Sequence, residues 1–130
     1  MTGTILAAMV VCGTLYLSIA SFFPLYVQKN FSEINITMIS ICMSSFEFAG
    51  VICGPIHAVT MSKMGRKNAI IIGHILILLT TVSLGLISNI EKTEWRTFYA
   101  VACLVRFVQG YADSLIQAAS FSIVGTTFAD

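Results

Sequence analysis

Apolar positions come in four long runs separated by three short polar stretches, and the runs cover about residues 4–23, 37–61, 69–90 and 97–128. Each run supplies the roughly 20 residues that a helix needs to cross the hydrocarbon core of a bilayer. The pattern predicts an all-α membrane protein with four transmembrane helices in one compact unit. The first run carries no charge, and Pro24 is expected to stop or kink it. The third is apolar almost all round, so it is expected to face lipid over much of its circumference. Pro55 predicts a bend late in the second run. His57 and His74 are read as structural.

The fourth run departs from the pattern. Arg106, Gln109, Asp113 and Gln117 interrupt it, and at 100° per residue all fall within about 60° of Arg106 on a helical wheel. Gly110 and Ser120 lie on the same side, while Leu104, Val108, Tyr111, Leu115 and Ala119 make the opposite, apolar side. A charge near a bilayer centre costs roughly 2.5–3.5 kcal/mol on insertion scales, so such a stripe has to face protein or water and marks a pathway. The second run has its own polar residue near mid-span, Glu47. It shares a face with Ser40, Ser44, Gly50, Gly54 and Ala58 at spacings of three and four. Gly50 to Gly54 is a GxxxG, so Gly50, Gly54, Ala58 and Gly110 are expected to let helices approach closely. Arg106 and Asp113 are about 10 Å apart along one helix, too far for an easy direct bridge. The expectation is that Glu47 and the Arg106–Asp113 stripe share a water-accessible polar cluster between the second and fourth spans.

Composition sharpens this picture. Of 130 residues 57% are hydrophobic and 10% charged, against about a quarter charged in soluble domains. No basic stretch suits nucleic acid. The four cysteines lie inside apolar runs, without CxxC pairing or histidines at zinc-ligand spacing. Neither a metal nor a cofactor is expected. There is no phosphate loop, no HExxH and no GxSxG, so enzyme chemistry is not expected either.

The polar stretches give an orientation. Lys63, Arg66 and Lys67 bring three positive charges to the second one. The first, with Lys29 and Glu33, and the third, with Glu91, Lys92, Glu94 and Arg96, each sum to zero. The positive-inside rule puts the basic turn in the cytoplasm, and by parity both termini. Two sequons, at Asn30 and Asn35, then fall on the outer side, where glycosylation acts on accessible asparagines.

Two stretches resemble the signatures of the major facilitator superfamily. Residues 58–67 are similar to its loop motif G-x-x-x-D-[RK]-x-G-R-[RK]: Lys63, Gly65, Arg66 and Lys67 match, with Ala58 in place of the first glycine and Ser62 in place of the aspartate. Gly65 fits a tight turn between antiparallel spans. The second stretch, Arg106-x-x-Gln109-Gly110, is similar to the fourth-span motif R-x-x-Q-G of proton-coupled antiporters, with Asp113 where a small residue is usual. The general look is most like the vesicular-amine-transporter and drug:proton antiporter branch, although the first run lacks the acidic residue that serves amine recognition there. The resemblance implies proton-coupled secondary transport of a small solute by alternating access. The site residues would be Arg106, Gln109, Asp113, Gln117 and Glu47, with Lys63, Gly65, Arg66 and Lys67 in the cytoplasmic gating loop. It spans the first third of a twelve-span transporter, half of a site formed between two six-helix halves, so the chain is expected to be a fragment whose partners are the remaining spans, the bilayer, the solute and protons. Two other readings stand beside it, a small oligomeric four-span exporter and a four-span structural or adaptor protein.

Overall fold

Each apolar run becomes one helix; α1, α2 and α4 are longer than their runs, and α3 is shifted toward the N-terminus. A computed structural model describes residues 2–89 and 92–127. Helix α1 spans Thr2–Asn30, α2 Ile36–Met64, α3 Arg66–Ile87 and α4 Trp95–Thr127, with a 3₁₀ turn at Lys92–Glu94 before the last. The expected span ends at residues 90 and 128, the charge of Glu91 and both chain termini lie outside the described residues.

Of the two outcomes expected at Pro24, a stop or a kink, the stop is not seen; the helix continues to Asn30. Proline removes one backbone bond, to the carbonyl four residues earlier. The turns on either side are held by packing: Phe23, Val27 and Phe31 are buried with Ile39, Cys42, Phe98, Ala102 and Val105. The Phe31 and Phe98 rings lie 4.2 Å apart, 23° from parallel. Tyr26 Oη donates to the Ser88 carbonyl at 3.2 Å, tying α1 to the residue that follows α3.

The first two connections are shorter than the sequence suggested. Five residues join α1 to α2. Phe31 and Ile34 of that loop are buried, and Asn35 caps α2 by accepting from the Ile36 amide at 2.7 Å. Between α2 and α3 stands Gly65 alone, at φ 84° and ψ 146°. A side chain is strained there, which is the physical reason for a glycine.

α4 is the hub. It packs mainly on α2 and α3, while α1 lies more loosely against the group. α2 presents Ile39, Cys42, Phe46, Ala49, Cys53 and His57, and α3 presents Ala69, Gly73, Ile77, Thr80 and Ile87. α4 is buried on two sides. Leu115 and Ala119, on the apolar side opposite the stripe, are covered at 1% and 0% exposure. Of the expected close approaches, Gly110 makes one, while Gly54 and Ala58 make none among the described residues; Gly73 adds one that was not expected. A Cβ on Gly110 would run into the Phe46 backbone, 2.9 Å from its Cα, and one on Gly73 would lie 3.1 Å from the Ala112 carbonyl. Around Gly54 there is open space, and Ala58 is exposed; Gly50 only brushes Ser114. The small face of α2 therefore points away from its neighbours in this chain. Sequence shows which face is small, but the contact is decided by where the partner helix is also small.

Leu6–Asn30, Ile36–Met64 and Arg66–Ile87 are long and apolar enough to cross a membrane. α4 is the longest helix, at 33 residues, but it is not among them. The outer surface carries Phe22, Val51, Leu78, Leu104 and Phe121, each more than 60% exposed. An apolar covering of this extent suits lipid rather than water. The protein is an integral membrane protein.

Candidate functional site

Arg106 is completely buried, at 0% exposure. It stays so because α1, α2 and α4 itself contribute to its surroundings. Nη1 donates to Gln109 Oε1 at 2.9 Å, one turn along α4. Nη2 reaches Met43 Sδ on α2 at 3.5 Å. The guanidinium lies over two rings, Phe46 of α2 at 5.0 Å and Tyr16 of α1 at 5.6 Å. Gln109 passes the link on, its Nε2 donating to Thr81 Oγ1 of α3 at 3.3 Å. A desolvated cation over an aromatic face gains up to about 2 kcal/mol, and two faces with a charge-assisted bond offset much of the burial cost. No carboxylate is among these partners, and Nε has no hydrogen-bond partner among the described residues.

Asp113 lies two turns further along and has different company. It lines a cavity of about 260 Å³ with Tyr16, Phe46, Glu47 and Gln117. Met9, Cys12 and Gly13 of α1 and Ile116 of α4 complete the wall. Gln117 Nε2 donates to Asp113 Oδ2 at 2.6 Å, which fixes the carboxylate on its own helix. Glu47 is exposed on α2. An adjoining recess of about 250 Å³ on the α2–α4 side adds Gly50, Gly110 and Ser114 to Glu47, Asp113 and Gln117.

The stripe read from the sequence is thus divided. Glu47, Asp113 and Gln117 come together around open space. Arg106 and Gln109 do not line it, and Phe46 and Tyr16 stand between the guanidinium and the cavity. The cavity wall carries two carboxylates and no cation. Such a wall can hold a positive charge, or protons in its place.

Sequence reasoning missed Tyr16, Met43, Phe46 and Thr81, because an aromatic, a methionine or a threonine in an apolar run reads as ordinary core. The one available signal was that Phe46 precedes Glu47 and that Arg106 lacked a carboxylate within reach on its own helix. Ser114 was also missed. Its hydroxyl lies 2.7 Å from His57 Nε2, and the His57 ring packs on Tyr111 at 4.7 Å.

At the other end of the bundle, Lys63, Arg66 and Lys67 are exposed around Gly65. Arg66 Nη1 donates to Thr126 Oγ1 at 2.9 Å and joins the turn to the end of α4. The Ser62 hydroxyl is used within α2, donating to Val59 O at 2.7 Å. Of the sequon asparagines, Asn30 is the last residue of α1 with its side-chain amide on Tyr26 O at 2.9 Å, and Asn35 is the α2 cap.

Neither the curated proteins nor the solved structures contain a match to this chain. The family model described as the Major Facilitator Superfamily matches residues 4–130. With apolar membrane helices and a polar cavity between them, the chain belongs to the Major Facilitator Superfamily, a family of membrane transporters.

Proposed function

We propose that α4 crosses the bilayer as a fourth span and that the Glu47–Asp113 cavity is one wall of a pathway for a small cationic solute, exchanged for protons by alternating access. The observation that carries this reading is the division of the polar stripe: both carboxylates line the open space, while Arg106 is sealed behind Phe46 and Tyr16. A carboxylate in a partly dry cavity holds either a proton or a cation, and each displaces the other. Tyr16 and Phe46 add ring surface on which an organic cation can rest.

Orientation follows from charge. The basic turn at Gly65 faces the cytoplasm, and so do the chain ends. The opposite wall of the pathway comes from further spans packed over the uncovered face of α2. The reason is Glu47, because a carboxylate on an otherwise lipid-compatible helix needs water or protein opposite it.

The test is flux into sealed vesicles containing the protein, acidic inside, with an organic cation and an organic anion of matched size. The expected outcome is cation accumulation that follows the proton gradient. Asp113→Asn and Glu47→Gln abolish it while leaving the amount of protein in the membrane unchanged. Anion accumulation, or coupling unchanged in Asp113→Asn, overturns the reading.

A further inference from the structure

His57 is fully buried on the packed face of α2, ten residues from Glu47 in the direction of the Gly65 turn. A buried imidazole in a helix contact is ordinarily a space-filler with both nitrogens satisfied. This one differs in two ways. Its Nδ1 has no hydrogen-bond partner among the described residues. Its Nε2 lies 2.7 Å from Ser114 Oγ, and Ser114 belongs to the wall of the acidic recess that also contains Glu47 and Asp113. One hydroxyl therefore separates the histidine from the carboxylates. That hydroxyl hydrogen has two acceptors within reach, His57 Nε2 and the Tyr111 carbonyl at 3.3 Å. The titratable group facing the ring is Tyr111 of α4, at 4.7 Å between ring centroids; Asp113 and Glu47 lie beyond Ser114.

We propose that Ser114 and His57 form a branch of the proton pathway leading from the carboxylate cavity toward the Gly65 end of the bundle. In the forward step a protonated cavity carboxyl gives its hydrogen to Ser114 Oγ, directly or through one water. Ser114 passes its own hydrogen to His57 Nε2. One carboxyl O–H bond breaks and one N–H bond forms, the serine is regenerated, and the imidazole carries the charge. The step involves no electron transfer and no co-reactant. The imidazole holds this proton, and the reverse step returns it from Nε2 through Ser114 to the carboxylate; the Gly65 turn lies about 12 Å further along α2 by helix rise. Only the use of this branch in transport rests on the proton coupling proposed above, and His57 serves it as a positioning and relay residue rather than by touching the solute.

The test reads the imidazole directly. The chain has two histidines, so ring-¹⁵N histidine signals in bilayer nanodiscs are assigned with a His74→Gln variant. Between about pH 5 and 8, the window in which histidine changes charge, the His57 ring is expected to gain a second N–H. In Ser114→Ala, exchange of that hydrogen with solvent slows by roughly tenfold or more. His57→Gln, whose amide keeps a bond to Ser114 but takes no proton, is expected to flatten the pH profile of proton-driven cation uptake. A ring that keeps one protonation state over the whole range overturns the branch. So does exchange that is the same with and without the Ser114 hydroxyl. If the ring titrates as expected and uptake ignores the proton gradient, the branch stands and the transport coupling falls.

Discussion

At the scale of single residues, two glycines with the same look in sequence do opposite things. Gly110 lets α4 rest on the Phe46 backbone, whereas Gly54 faces open space. Gly110→Ala should destabilise the purified protein by about 1–3 kcal/mol, because backbone on both sides leaves little room for repacking. Gly54→Ala should be neutral or slightly stabilising, since alanine is the better helix former by about 1 kcal/mol. Thermal unfolding in detergent separates the two. Equal effects would mean that α2 uses its other face. Arg106 belongs to this scale as well. Its charge is balanced by an amide oxygen, a thioether and two ring faces rather than by a carboxylate, and such partners are spread over α1, α2 and α4. A reading of the sequence finds a charge readily. It does not find a diffuse set of partners, because none of them is polar enough to stand out from the core.

At the scale of elements, the helices themselves were plain in the hydropathy pattern, and their faces were not. Apolar runs locate spans because lipid demands length and lack of charge. They do not say which face meets a neighbour, since the lipid side and the protein side are equally apolar. Hence the burial of Leu115 and Ala119 could not be read from their apolar side, while the basic turn was legible because charges and a glycine mark it. The one-residue link makes a measurable claim. Gly65→Ala forces a side chain into a glycine-only conformation and should cost about 1–3 kcal/mol, read by the same unfolding assay. The α1–α2 loop makes another. With Asn30 inside a helix and Asn35 engaged as a cap, glycosidase treatment of the protein from a eukaryotic membrane should leave its electrophoretic mobility unchanged. A shift would mean that the loop is looser than its buried Phe31 and Ile34 indicate.

At the scale of the whole molecule, the polar groups sort by depth and by side. The end at the α1–α2 loop is closed by the aromatic cluster around Phe98, the middle holds Arg106 and the carboxylate cavity, and the far end carries Lys63, Arg66 and Lys67. The orientation has its own check. In a variant freed of the four native cysteines, a cysteine placed at Lys63 should react with a membrane-impermeant thiol reagent only after the cells are permeabilised. Labelling of intact cells would invert the topology.

The burial of Arg106 among groups from α1, α2 and α4 also bears on how the protein is made. Helices α1 to α3 are apolar enough to enter a bilayer on composition, and α4 is not among those that are. The cost of its arginine, roughly 2.5–3.5 kcal/mol if it met lipid alone, is offset only once Tyr16, Met43 and Phe46 are already in place. These residues leave the ribosome earlier than Arg106. If α4 crosses as proposed, the order in which the helices are synthesised matches the order in which they are needed, and α4 would enter a berth that its predecessors have prepared.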